Sequence, residues 1–170
     1  MLPEPLTVRP AVPADLPALL AVYDSARRYM IRCGNPTQWG TDYPPADLLA
    51  GDIAAGHLYA VCRGGTLCAA FALIAGADPT YAEIRGAWGS EAPYATIHRL
   101  ASDGTAPGVF AAVLAFCLRR SPHLRADTHA DNAVMQRLLE DNGFRRCGII
   151  RVSHGDGSRG ERLAYERLPG

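Results

Sequence analysis

Three observations predict a mixed α/β fold. Apolar residues alternate along some stretches and recur every three to four residues along others, so strands and helices interleave. A glycine pair at 64–65 joins two apolar strand-like runs, as in a two-residue hairpin. Twice in the second half, a strand passes through a short polar loop into a helical pattern and returns to a strand. The resulting order is β-α-α-β-β-β-α-β-α-β-β. At 170 residues the chain is the size of one domain, and residues 1–170 are read as a single one.

Each element has a local cause. LTVRPA (6–11) reads as a short strand. Leu16, Leu19, Leu20, Val22, Tyr23 and Ala26 then recur at helical spacing, predicting a helix over about 13–31 that Gly34-Asn35-Pro36 stops. After the aromatic, Pro-rich loop NPTQWGTDYPP, the segment ADLLAGDIAA starts a short helix behind Pro44-Pro45. Strands follow at 57–63 and 66–76, then an irregular segment, then a longer strand at 94–102. Residues 103–108 form a loop, and the apolar helix 109–121 ends at Ser121-Pro122. LRADTH (124–129) is a strand, Asp131 is the expected cap of a helix ending at Gly143, and strands 144–153 and 161–168 close the chain around HGDGSRG.

Composition narrows the classes of function. Seventeen basic and 17 acidic residues balance to zero formal charge, which argues against nucleic-acid binding through clustered, uncompensated cations. All the basic residues are arginines. The N-terminus carries no cationic and apolar leader pattern, and the longest uncharged apolar run, 106–118, is short of the roughly 18 residues of a membrane span. Five cysteines, at 33, 62, 68, 117 and 147, have no metal-ligand or disulfide-framework spacing. Cys62, Cys68 and Cys117 lie in apolar runs and read as buried, reduced thiols. His123 and His129 have no matching ligand set, so no metal is expected. The expected setting is the cytoplasm.

The junction from strand 94–102 through DGTAPG into helix 109–121 carries the first chemical signal. A glycine-containing loop that feeds a helix N-terminus offers unpaired N–H groups and a positive dipole end to an anion such as pyrophosphate. Such junctions are common in α/β folds, and neither a GKS/T phosphate loop nor a GxGxxG fingerprint is present. The second signal is DNAVMQRLLEDNGF, in which Asp131-Asn132 precede a helix that ends in Gly143-Phe144. Those two residues also suit a helix cap and nothing more.

With IHRLAS leading into TAPGVF, and DNAVMQRLLEDNGF after it, the chain resembles the GNAT superfamily of acyl-CoA-dependent N-acyltransferases from Leu6 to Leu168. The resemblance implies a central mixed, mostly antiparallel sheet flanked by helices, with its fourth and fifth strands (here 94–102 and 124–129) splayed to hold the coenzyme. It implies acetyl-CoA as the acyl donor and a primary amine, here expected on a small molecule, as acceptor. Family members carry Q/R-x-x-G-x-G/A in the first region. Thr105, Gly108 and Phe110 stand at those places here, and only Gly108 fits strictly. The bulky Phe110 suggests a shifted grip on the phosphates. The coenzyme contacts implied are Leu100, Ala101 and Ser102 on the strand, then Gly104, Thr105, Ala106, Gly108, Val109 and Phe110 on the loop and first helical turn. Asn132 is the implied partner of the pantetheine arm, with Met135 beside it. A tyrosine common in the family seven residues after this asparagine is Leu139 here, which removes the usual proton donor. A tighter subgroup joins W-x-x-x-Y-P, IHR, DTH-x-DN and CG, which Trp39 to Pro44 fits. Members often pair through terminal strands, so a homodimer through 144–153 and 161–168 is implied.

Direct transfer to an amine needs a proton acceptor and a donor for the developing oxyanion. An N–H near Leu100 or Ala101 suits the second role. His98 is the candidate base, since imidazole titrates near neutrality, and strict strand alternation places it on the Leu100 face. A purely structural histidine is the competing reading. Arg99 would face the other way toward an acid, with Asp127 one such partner. Asp127, His129 and Glu83 are further proton-relay candidates. Trp39, Tyr43, Tyr81 and Trp88 lie in irregular segments and, with His129, are the candidate acceptor-binding residues; plugs over a core edge explain the aromatics equally well. With no lysine in the chain, phosphate contacts fall to arginines such as Arg137 or Arg146, or to backbone amides after Asp103. Two rivals remain open. One is a non-catalytic acyl-CoA-binding module, favoured by Leu139 and Phe110, and the other is an interaction protein without cofactor.

Overall fold

A computed structural model of the chain describes residues 4–153 and 159–170. The elements are β1 (Leu6–Pro10), α1 (Leu16–Arg32), α2 (Ala46–Ala54), β2 (Leu58–Arg63), β3 (Thr66–Ala75), β4 (Arg85–Gly86), β5 (Ala95–Ser102), α3 (Val109–Leu118), β6 (Leu124–Thr128), α4 (Ala133–Asp141), β7 (Arg145–Ser153) and β8 (Arg159–Arg167). The eight strands form one sheet in the order β1-β2-β3-β5-β6-β8-β7-β4. Every neighbouring pair is antiparallel except β5 and β6. This is the mixed, mostly antiparallel α/β fold that the sequence predicts.

The order of elements matches the sequence reading, and its departures have local causes. The first turn of the predicted helix 13–31 is 3-10, over Pro13–Asp15, and the α-helix starts at Leu16. Asp15 anchors that start, accepting from the Val12 amide at 2.8 Å and from Arg9 at 2.7 Å. Helix α3 stops at Leu118, short of 121, and Ser121 turns its hydroxyl onto the His123 carbonyl at 2.8 Å. The cap of α4 is Asn132, whose Oδ1 accepts from the Met135 amide at 3.1 Å, so the expected cap Asp131 is off by one. Strand β4 is absent from the sequence reading because two residues carry no periodicity. It crosses β7 so closely that a Cβ on Gly86 would meet the Cys147 carbonyl at 2.2 Å, and one on Gly148 would meet the Arg85 carbonyl at 2.2 Å. HGDGSRG falls largely outside the described residues, but β7 and β8 pair up to it, ending at Ser153 and Arg159.

The two faces of the sheet bury different cores. Helices α3 and α4 cover one with Val113, Phe116, Cys117 and Leu139, packed on Ala95, Ile97, Phe71, Leu124 and Tyr165. Helices α1 and α2 cover the other with Leu19, Val22, Tyr23 and Leu49, packed on Ala70, Ala72 and Ala101. All five cysteines are free thiols, and Cys62, Cys68 and Cys117 are buried as expected; burial pushes the Cys117 thiol up to about 12. Among the described residues, no helix is long and apolar enough to cross a membrane.

Two irregularities at the middle of the sheet create the site. First, β5 and β6 pair in parallel only at Ala95 with Leu124 and Thr96 with Arg125, then diverge, so the predicted splay is present. Second, the β3–β5 register jumps from Ala72 with His98 to Ala70 with Ala101, which leaves Arg99 and Leu100 together opposite Phe71. Arg99 takes a φ of 52° at this bulge, a left-handed backbone rare outside glycine, held by the Tyr23 hydroxyl, which donates to the Arg99 carbonyl at 2.7 Å.

Candidate active site

The divergence of β5 and β6 opens a cavity of about 830 Å³. Leu100 to Gly104, with Val109 and Phe110 at the start of α3, form one wall. Ala126 to Thr128 on β6, and Asn132, Met135 and Leu139 at α4, form the opposite wall. The far end runs under α1 past Tyr29, Trp39, Tyr43, His98, Arg99 and Arg162.

The bulge corrects the expected placement of His98. Strict alternation puts His98 and Leu100 on one face, but the extra residue reverses the alternation beyond it. Leu100 packs with Ile97 against the α3 side, while His98 pairs with Ala72 on the α1 side. His98 Nε2 lies 2.6 Å from Asp78 Oδ2. Burial opposes the Asp78 charge, but hydrogen bonds from His98 and from Thr80 outweigh it and hold the carboxyl at about 2. Asp78 is therefore an ionised acceptor, which orients the imidazole at the cavity wall.

A second acid stands nearby on the same face. Asp127 Oδ2 accepts from the Tyr81 hydroxyl at 2.7 Å, and both Asp127 and Asp78 line the cavity. Burial and then the Asp127 charge push the Tyr81 phenol well above its ordinary value, so it stays protonated as a donor. Arg99 pairs with Asp52 of α2 at 2.8 Å, not with Asp127 as the sequence reading allowed. Burial opposes the charge of the Arg99 guanidinium, but Asp52, with Tyr43 and Tyr23, together outweigh it and raise its pKa.

Gln38 ties the aromatic loop to the rest of the site. Its Oε1 accepts from Asn35 Nδ2 at 2.9 Å and Asn132 Nδ2 at 3.1 Å, while its backbone carbonyl accepts from Arg162 at 3.0 Å. Asn132 is thus both the cap of α4 and part of the cavity wall.

Other sequence expectations are displaced. Tyr81 and Trp88 lie outside the cavity, in a small core with Ile150 and Ala164, where Trp88 Nε1 donates to the Tyr81 carbonyl at 3.1 Å. His129 also stands off the wall: its Nδ1 accepts from the Asp131 amide at 3.0 Å and organises the turn into α4. Thr105 closes its own loop on Asp103, Ala106 is core, and Gly108 sits behind the wall as the left-handed N-cap of α3. Phe110 is buried in the α3 core and also lines the cavity at the start of α3. Glu83, Arg137 and Arg146 are exposed and away from the wall. Asp78, Gln38 and Arg162 escaped the sequence reading because only long-range pairing brings them to the site; no local pattern marks them.

The site thus combines an open, mostly antiparallel sheet with one splayed parallel pair, a helix N-terminus and a histidine–aspartate pair at the same cavity. No family model matches the sequence, and no curated protein does. Solved structures do. A GNAT-family acetyltransferase from Streptococcus agalactiae superposes with a TM-score of 0.86 at 26% identity, over 99% of this chain and 98% of that one. A GNAT-family acetyltransferase from Listeria monocytogenes gives 0.68 at 17% identity, over 95% of this chain and 94% of the other. YncA from Salmonella typhimurium, whose structure holds its cofactor acetyl-CoA, gives 0.64 at 16% identity over 97% and 94%. Over nearly its whole length the chain has the fold of these GNAT-family structures, and acetyl transfer is the activity that they are named for.

Proposed function

We propose that the protein is a cytoplasmic N-acetyltransferase that moves the acetyl group of acetyl-CoA to a primary amine of a small molecule within a ternary complex, its 170 residues acting as one domain. The observation that carries this reading is the 830 Å³ cavity at the β5–β6 divergence, which joins the α3 N-terminus to His98 and Asp78. The residues present fit the coenzyme. The first turn of α3 offers backbone N–H groups for the pyrophosphate, next to Ser102 and Gly104. The apolar walls at Leu100, Val109, Phe110 and Met135 suit the pantetheine arm, and Asn132 supplies an amide to it.

Acetyl-CoA supplies the thioester carbonyl that the amine attacks. The N–C bond forms as the C–S bond breaks, His98 takes the proton that the amine nitrogen loses, and water returns one to the thiolate. Asp78 fixes the ring that accepts the proton. The Leu100 amide, released from regular pairing by the bulge, is the donor for the oxyanion. Holding both substrates in one cavity contributes the remainder of the rate.

His98→Ala should lower kcat about 100-fold, with the affinity for acetyl-CoA unchanged, when thiol release is followed with a panel of amines. Unchanged turnover would remove His98 from the reaction. Leu139 favours a second reading. It stands buried on the cavity wall where the resemblance expects a proton donor, as suits a module that binds acyl-CoA without turnover. In that case the coenzyme binds and no amine releases thiol. A second copy would dock along β7: β8 lies inside the sheet between β6 and β7, whereas among the described residues β7 is paired on its outer edge with the two residues of β4 alone.

A further inference from the structure

The two ends of the Gln38 carboxamide have different surroundings. The residue is 8% exposed and borders the main cavity. Its Oε1 takes three donors: Asn35 Nδ2 at 2.9 Å, Asn132 Nδ2 at 3.1 Å and, more loosely, the Thr128 hydroxyl at 3.4 Å. Helix α4 decides which end is the oxygen. Asn132 gives its own Oδ1 to the Met135 amide, so the end it turns to Gln38 is a donor, and the Gln38 atom that receives it is an acceptor.

The other end is thereby fixed as the amide nitrogen. Nε2 meets no acceptor among the described residues, yet it is not sealed in the interior; the opening it meets is the cavity that Gln38 lines. Three donors on Oε1 polarise the amide and strengthen Nε2 as a donor. A donor held in this way, on a side chain with little contact to water, costs free energy until an acceptor reaches it.

Its position says which ligand supplies that acceptor. Gln38 lies on the connection between α1 and α2, on the side of the sheet that carries His98, whereas the apolar walls suited to the pantetheine arm belong to α3 and α4. Trp39 and Tyr43, with ring centroids 6.3 Å apart, line the same end of the cavity. The guanidiniums there are engaged, Arg99 with Asp52 at 2.8 Å and Arg162 with the Gln38 backbone carbonyl at 3.0 Å. An uncharged donor beside aromatic faces complements a neutral oxygen better than a carboxylate, whose strong partners are charged donors. Space for the rest of a ligand lies past Tyr43, where a second hollow of about 480 Å³ shares Tyr43, Arg99 and Ser153 with the main cavity.

From this arrangement we infer that Gln38 is a specificity-determining residue whose Nε2 donates to a neutral carbonyl oxygen on the acceptor, so that the acceptor is an amine that also bears an amide-type carbonyl. This deepens the proposed function and rests on it. Gln38 takes no part in the proton transfer.

The wild-type protein, saturated with acetyl-CoA, is assayed for thiol release with glycinamide, β-alaninamide and γ-aminobutyramide, each beside the alkylamine of matching length. The expected kcat/KM is about tenfold higher for at least one amide than for its alkylamine. Gln38→Glu keeps the oxygen shared by Asn35, Asn132 and Thr128 but replaces the donor with a second acceptor. It should bring that ratio to about one and leave the affinity for acetyl-CoA, read by calorimetry, unchanged; a merely structural role keeps the ratio in this variant. Gln38→Met removes both ends, and should lose the ratio and lower the melting temperature. Equal rates for amides and alkylamines with the wild type overturn the inference and leave the acetyltransferase reading standing. So do amides that neither react with nor bind the coenzyme-loaded protein at millimolar concentration. A Gln38→Glu defect confined to acetyl-CoA affinity overturns it too, since Nε2 then serves the coenzyme arm. Failure of acetyl-CoA itself to bind the wild type overturns the reading beneath it.

Discussion

Asn132 serves two purposes through different atoms. Its Oδ1 caps α4, while its Nδ2 donates to Gln38 at the cavity wall. The two roles separate by substitution. Asn132→Asp keeps the capping oxygen and should leave the melting temperature within about 2 °C, because aspartate caps as well as asparagine. It loses the donor, and a role on the coenzyme arm then appears as a KM for acetyl-CoA raised about tenfold. Asn132→Ala should lose both, adding about 1 kcal/mol of instability in urea. If Asn132→Asp keeps a normal KM, the residue is a cap and nothing more. At this scale the sequence was informative only where a residue lies inside a local motif. His98 and Asn132 stand in local strand and helix patterns, whereas Asp78 meets His98 from 20 residues away, and Arg162 reaches the Gln38 carbonyl from 124 residues away. Tyr81 and Trp88 lie in a small core outside the cavity, and an aromatic in an irregular segment looks the same from sequence whether it lines a pocket or plugs a core.

At the level of elements, the register between strands decided most of the chemistry. Hydrophobic periodicity located seven of the eight strands and all four helices, since their buried faces repeat over five or more residues. It missed β4 and could not reveal the bulge at Arg99, where the Tyr23 hydroxyl, 76 residues away along the chain, donates to the Arg99 carbonyl. The bulge in turn moved His98 to the face opposite Leu100. A further network fixes the segment before β5. Glu166, 2% exposed, accepts from His123 at 2.6 Å and from the Gly89 amide at 2.6 Å, with Arg125 at 3.5 Å. Arg125 is itself sandwiched between Trp88 and Tyr94 at 4.0 and 3.9 Å. Burial opposes the Glu166 charge, but the Gly89 amide, His123 and Arg125 together lower its pKa. Glu166→Gln removes the charge that balances a buried guanidinium and should cost about 3–5 kcal/mol in urea unfolding. A cost under 1 kcal/mol would show that the network contributes little to holding β6, β8 and the 88–94 segment together.

For the molecule as a whole, the sheet separates two tasks. Its α3–α4 side carries the apolar core and the helix N-terminus suited to an anion, and its α1–α2 side carries the titratable groups. The gap between β5 and β6 is the one place where the two sides communicate in the cavity described. That division was legible as a family resemblance, and in outline from the strand–loop–helix order, but not the depth of the cavity or its second hollow. Both depend on how far two strands diverge. The lysine-free composition takes on a structural meaning here: the cations on the cavity wall are arginines, whose planar forks suit carboxylates, and no side-chain amine is present to compete as an acceptor. The most direct measurement is the melting temperature of the protein titrated with acetyl-CoA. At 100 times the dissociation constant, a ligand bound only by the folded state adds about 2.7 kcal/mol and should raise the midpoint by roughly 5–10 °C for a chain of this size. No shift at millimolar acetyl-CoA would contradict a coenzyme site between β5 and β6.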